Sequence, residues 1–305
     1  MKGLMIAVMM AAVCCASTSM AEPRERLGYG VLFTNDEFGD GKDRWRTGSF
    51  SSSRVWGRGW NGRKPNRLGD LIELRLGAQI ISPESLRRPA PNDRTYVGAI
   101  SAGLHTHATI NDFDVALGAD LTFTGPSTKL DDFQEAVHDI LGGPSPSAQV
   151  RNSQIQDGLH PTAVLEIGRS IEVSGSARIR PFVELRAGVE TLARTGFDLS
   201  FGPFGKGELL VRDPVSGHRY QAIRNDSVGP SFVLGADIAH VENSIFLPSF
   251  GNAPLKETRG RARAGVHWQG PGGGVFFYGL TWLSEEFQGQ RESQFLGSVQ
   301  FRIAF

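Results

Sequence analysis

Cysteine is almost missing: the 305-residue chain has two, Cys14 and Cys15, and both lie in its first 21 residues. Residues 1–21 read as a secretory signal peptide, with Lys2, an apolar run from Leu4 to Ala16, and the small-x-small cleavage pattern Ser19-Met20-Ala21. Val13 before Cys14, and Cys14 before Cys15, are not the small residues of a lipoprotein signal. An exported chain beginning near Glu22 has no disulfide framework and no thiolate nucleophile. Net charge is missing too. Removing Lys2 leaves 31 basic against 32 acidic residues, so nucleic acid is not expected as a partner. Past the signal, no apolar run approaches the ~20 residues a transmembrane helix needs. No serine sits in a Gly-x-Ser-x-Gly elbow, which leaves a serine triad unsupported.

What the chain has is 38 glycines, 40% apolar residues without a hydrophobic centre, and long stretches of two-residue period. Ile179, Pro181, Val183, Leu185, Ala187 and Val189 alternate with Arg180, Glu184, Arg186 and Glu190. Ala262, Ala264, Val266 and Trp268 alternate with Arg261, Arg263 and His267, and Phe295, Val299 and Phe301 with Ser298, Gln300 and Arg302. A soluble sandwich would turn the charged side to water, whereas a membrane barrel turns it to the lumen and gives the apolar side to lipid. Composition does not separate the two. Export, strands of ten residues or more, and an amphipathic last strand ending on Phe305 favour the barrel and place it in a bacterial outer membrane.

The strands fall at 28–34, 45–56, 70–81, 95–109, 112–124, 163–173, 177–192, 196–202, 230–241, 258–269, 275–284 and 294–305. That even count predicts an all-β, twelve-stranded antiparallel transmembrane β-barrel in one domain, 22–305, with a short helix in an outer loop. Residues 203–229 are expected as an irregular periplasmic segment. With the amino terminus periplasmic, odd-numbered connections emerge outside. Parity then gathers on one rim the acidic loop 35–44, Arg87 and Arg88, the helical stretch 125–141, and Glu285-Glu286-Phe287.

In that stretch Leu130, Phe133, Val137, Ile140 and Leu141 recur at helical spacing, while Gln134 and His138 share another face. Pro126-Ser127 and Gly142-Gly143 mark its start and stop. His138 is either a surface histidine or a general base, since a neutral imidazole accepts a proton near physiological pH. Asp36, Glu37, Asp40 and Asp43 form either a solvated hairpin loop or an oxygen site for a hard cation; without histidine or cysteine, zinc is not expected there. Arg87 and Arg88 are either solvated or clamp phosphate oxygens.

In order along the chain, Asn35-Asp36, Asp43-Arg44-Trp45-Arg46-Thr47-Gly48, Arg87-Arg88, Gly125-Pro126 with the helix 133–142, and Ser284-Glu285-Glu286-Phe287 resemble the outer-membrane lipid A 3′-O-deacylases. The resemblance implies an ester hydrolase removing the 3′-acyloxyacyl chain of the lipid A of lipopolysaccharide, monomeric and Ca²⁺-dependent. Carried over, His138 is the general base and Gln134 orients it. Asn35 and Asp36 hold the metal or order its loop, Thr47 with the cation stabilises the oxyanion, and Arg87 and Arg88 face the substrate's phosphates or sugar. After the helix the family offers an acid and a tryptophan-containing segment, where this chain reads Gly142-Gly143-Pro144-Ser145. Asp139 or Glu135 would then replace the acid. The rival readings are a non-catalytic barrel, either a narrow pore or an inactive relative, and a soluble periplasmic β protein.

Overall fold

The structure is a computed structural model describing residues 23–249 and 253–302. The expected signal peptide 1–21, Glu22, and the end of the last strand at Ile303, Ala304 and Phe305 lie outside the described residues. Among the described residues there are fifteen strands: β1 (Glu25–Asn35), β2 (Trp45–Gly57), β3 (Ile72–Ser82), β4 (Val97–Ile110), β5 (Phe113–Thr124), β6 (Gly158–Gly168), β7 (Ile171–Ser174), β8 (Ala177–Ala187), β9 (Glu190–Phe201), β10 (Leu209–Arg212), β11 (Arg219–Ile223), β12 (Gly229–Ser244), β13 (Thr258–Gln269), β14 (Val275–Leu283) and β15 (Gln294–Arg302). Neighbouring wall strands pair antiparallel, and the β1–β15 and β6–β8 pairings close the cylinder. The short β7 continues β6 along β8, so the wall has the twelve crossings that the alternation predicts.

The wall is inside-out relative to a soluble sandwich. Arg261, Arg263, His267 and Glu184 are buried, while Val266, Trp268, Val183 and Leu185 on the opposite side are exposed. This arrangement is stable only with lipid outside, because a soluble protein would hydrate the charges and bury the apolar rows. The soluble reading is thereby excluded.

Most strand ends shift by a few residues, the sixth starting at Gly158 rather than 163, and two regions differ more. Strands expected at 177–192 and 196–202 are instead Ala177–Ala187 and Glu190–Phe201. The alternation runs unbroken through the tight connection at Gly188-Val189, where Gly188 has φ 152° and a Cβ would lie 2.3 Å from the Pro161 carbonyl oxygen. The segment expected to be irregular at 203–229 leaves β9 on the periplasmic side, then turns back into the lumen as the β10–β11 hairpin. Leu209, Val211, Tyr220, Ala222 and Ile223 pack there against Leu32, Val55 and Phe277 of the wall. Gly28 and Gly30 admit this hairpin, since a Cβ on either would lie 2.3 and 2.2 Å from the carbonyl oxygens of Ala222 and Gln221. Beside it, Arg212 bridges Asp198 and Glu166, and Arg263 bridges Asp198 and Asp237. The lumenal cavities bounded by Arg75, Arg180 and Arg219 measure about 70, 30 and 20 Å³, a few water molecules at most.

The β5–β6 excursion goes the other way. After a 3₁₀ turn at Pro126–Thr128 it forms helix α1 (Leu130–Leu141) and the short α2 (Ala148–Asn152). Lys129, at φ 58°, breaks the turn from α1, so the helix starts later than Pro126-Ser127 suggested; Gly142, at φ 85°, ends it with its N–H donated to the His138 carbonyl. On β4, Gly98 lies in the same outward row as the exposed Ile100 and Leu104, and a Cβ there would lie 2.9 Å from the Leu130 Cβ. Helix α1 therefore starts against the lipid-facing side of the wall. Ile80, Leu86, Tyr96 and Val150 form a second contact between this excursion and the upper wall.

Candidate active site

The β1–β2 loop is built around one carboxylate. Asp36 is fully buried; its Oδ2 accepts from the Arg44 N–H at 2.8 Å and from the Gln294 amide at 3.3 Å, and its Oδ1 faces the Thr47 hydroxyl at 3.2 Å. Its carbonyl accepts from the N–H groups of Gly39 and Gly41. Burial is the main reason that its carboxyl is pushed up to about 9, with the Asp43 charge adding to the shift. Asn35 ends β1, and its side-chain oxygen accepts from the Glu37 N–H at 2.8 Å.

Strand β2 begins irregularly. Trp45 sits at φ 52°, unusual for so bulky a residue, and the β2–β3 register shifts between Arg46 and Gly48. This bulge takes Thr47 out of the alternation and turns its hydroxyl to Asp36 and Asp43 at once. One hydroxyl carries one proton. Of the two carboxylates Asp43 is the nearer acceptor, with Asp36 Oδ1 at 3.2 Å.

Helix α1 delivers the remaining groups. Asp131 and Gln134 are buried beneath it, with His138 half-buried on the same side. The Gln134 amide donates to Asp43 Oδ1 at 3.3 Å, and His138 Nε2 lies 3.3 Å from Asp43 Oδ2. His138 Nδ1 donates to the Pro144 carbonyl at 2.7 Å, which leaves Nε2 as the ring nitrogen that faces Asp43. Asn35 and Gly48 continue the outward rows of Phe33 and Phe50. Asp36 continues the inward row of Leu32 and Thr34, so the cluster stands on top of the wall at the outer rim.

Beneath it, at the lumen mouth, Glu286 receives Arg46, Arg94 and Arg259. Burial would raise the Glu286 carboxyl, but these three guanidinium groups hold it well below the usual carboxylate range. Phe287 packs edge-on against Trp45, 6.5 Å between ring centroids, and so braces the bulge.

Of the residues expected at the site, His138, Gln134, Thr47 and Asp36 are joined, through Asp43. Asn35 is adjacent but makes no described hydrogen bond to them. Arg87 and Arg88 stand exposed in the β3–β4 loop, with no side-chain ion pair among the described residues. Glu135 is taken by Arg151 at 2.7 Å, and Asp139 is exposed, so neither supplies an acid beside His138. Asp43 is the residue that sequence reasoning left among the loop acids without a role. Its signal was its place four residues before Thr47. A cleft of about 650 Å³ opens among the outer loops between Pro89, Tyr96, Val150 and Ile245, away from His138.

For a hard cation the chemistry is suitable: Asp43 Oδ2 and Gln134 Oε1 are buried without a hydrogen-bond donor, beside the oxygens of Thr47 and Asp36. Among the described residues no three carboxylate or imidazole groups gather closely enough to hold an ion alone. Amide, hydroxyl and water oxygens would have to complete the shell.

A sequence profile described as "Outer membrane protein LpxR" matches residues 4–305. The chain belongs to the LpxR family. This is the outer-membrane lipid A deacylase family that the motifs resemble, and it places the barrel in the outer membrane. LpxR from Salmonella typhimurium superposes with a TM-score of 0.73 at 16% identity, covering 90% of this chain and 100% of that one, and so shares the fold. The β domain of the Bordetella autotransporter BrkA (TM-score 0.43, 13% identity, 91% and 100% covered) and the NanC porin (0.40, 6%, 90% and 100%) are more distant barrels. No curated protein matches the chain.

Proposed function

We propose that this LpxR-family barrel is an ester hydrolase that removes the 3′-acyloxyacyl chain from lipid A in the outer leaflet, with His138 as general base. The observation that carries the reading is His138 Nε2 held 3.3 Å from Asp43 Oδ2 at the outer rim, beside a helix that starts against the lipid-facing wall. The Pro144 carbonyl fixes the tautomer, so Nε2 accepts a proton from the water that attacks the ester carbonyl. The imidazolium is then neutralised by Asp43, and its proton passes to the sugar oxygen released as the ester C–O bond breaks. Gln134 and Thr47 hold Asp43 in register for this. The Thr47 hydroxyl is occupied by the two carboxyl groups, which makes it a positioning group here rather than the oxyanion donor expected from the resemblance.

Asp43 and Gln134, with Asp36 behind Thr47, are the residues that would hold Ca²⁺. Bound there, the ion would supply positive charge to an ester oxygen as it gains negative charge. Cleavage should accordingly fall on chelation and return with added Ca²⁺. The filled lumen counts against the pore alternative. Mass spectrometry of lipid A from cells expressing the chain tests the reading. A mass loss of one acyloxyacyl unit that disappears with His138→Ala supports it, and unchanged lipid A with abundant folded barrel supports the non-catalytic relative.

A further inference from the structure

We propose that the outward face of α1 is buried among the acyl chains of the outer leaflet, making this helix an interfacial anchor that holds the wall-side cluster at lipid level. The helix is amphipathic in the sense opposite to a globular one. Phe133, Ile140 and Leu141 are 59%, 84% and 76% exposed, whereas Asp131 and Gln134 are 7% and 4% exposed. In water such a face would hydrate three large apolar side chains, so the sequence fits an apolar surrounding on that side.

Continuity with the wall identifies the surrounding as lipid. Leu130 starts the helix on Gly98, in the row that continues through Ile100 and Leu104, exposed by 41% and 62%. On β6, Leu159 extends the same belt beside the excursion at 61% exposure. The acids lie along the helix edge and off the apolar stripe. Arg151 donates to Asp131, Asp132 and Glu135 at 2.7–2.8 Å and Lys129 lies 3.5 Å from Asp132, so two cations offset part of the charge of three carboxylates there. Phe133 and Ile140 lie seven residues apart, two turns, and span the exposed stripe.

The test needs no substrate and so stands apart from the hydrolytic reading. No cysteine occurs after Cys15, so Phe133→Cys, Asp139→Cys and Ile140→Cys each give one attachment point for a nitroxide. The folded barrels are reconstituted in vesicles of phosphatidylethanolamine and phosphatidylglycerol. Collision of the label with oxygen, which concentrates in the bilayer, is compared with collision with a water-soluble nickel chelate. The expected result is oxygen dominating at 133 and 140 and the chelate dominating at 139. Chelate dominance at all three would overturn the proposal by placing the face in water. Exclusion of both reagents at 133 and 140, with dipolar broadening between labels, would overturn it in favour of a second copy of the chain.

Discussion

Two long excursions leave this barrel, and they fold on opposite sides of the same wall. The β9–β12 excursion enters the lumen, where the β10–β11 hairpin finds apolar partners in Leu32, Val55 and Phe277 and charged ones in Asp198 and Glu166. The β5–β6 excursion stays outside, seats Leu130 on Gly98, and turns Gln134 and His138 inward to Asp43. The first leaves its backbone and side chains almost wholly buried. The second buries its polar face and leaves its apolar face exposed. What decides the side is which partner each can match. A hairpin carrying Arg212 needs counter-charges, while a helix carrying Phe133 and Ile140 needs lipid. The lumenal excursion closes the barrel, and the outer one equips it.

Breaking the outer excursion should have the largest effect. His138→Ala is expected to lower lipid A cleavage by ~10²–10⁴-fold with the barrel still folded, measured by the rate of acyl release in mixed micelles. Asp43→Asn keeps the size of the side chain and removes the charge facing His138. Loss of a charged hydrogen bond worth ~1.5–3 kcal/mol predicts a ~10–100-fold slower rate, chiefly in kcat. On the lumenal side, Gly30→Val places a side chain where a Cβ would lie 2.2 Å from the Gln221 carbonyl oxygen. Overpacking should cost ~1–3 kcal/mol of stability, read in urea unfolding, and should raise conductance in planar bilayers while cleavage persists. The smallest change is expected from Arg87→Ala with Arg88→Ala. Both side chains are exposed, so KM should rise about tenfold or less as surface ion pairs worth ~0–1 kcal/mol each are lost, and by less at high salt.

Much of the wall was legible because its period survives every local irregularity. Arg261, Arg263 and His267 against Val266 and Trp268 read as two faces in the sequence and are two faces in the structure. The helix was legible from the spacing of Phe133, Val137 and Ile140, but which face would be buried was not: periodicity locates a stripe and says nothing of the solvent beside it. The lumenal hairpin escaped notice because four- and five-residue strands carry too little pattern. Gly188-Val189 escaped because a tight turn need not interrupt alternation. Within the site, His138 and Gln134 were visible by type and spacing. Asp43 meets them across ninety-one residues of sequence, and the bulge that aims Thr47 at it is a register shift that no two-residue count records.

The central claim is that α1 is held against the lipid side of the wall and from there brings His138 to the acidic loop. Disulfide trapping tests it most directly, since the chain has no cysteine after Cys15. A Gly98→Cys, Leu130→Cys pair should oxidise in the folded barrel and resist reduction until unfolding, with the start of the helix giving by about 1 Å, because the 2.9 Å between the two Cβ positions lies just inside the ~3.5–4.5 Å of a disulfide. A Ser101→Cys, Leu130→Cys pair, with position 101 on the lumenal row, should stay reduced. Trapping of the second pair and not the first would put the helix on the wrong side of the wall and end the account.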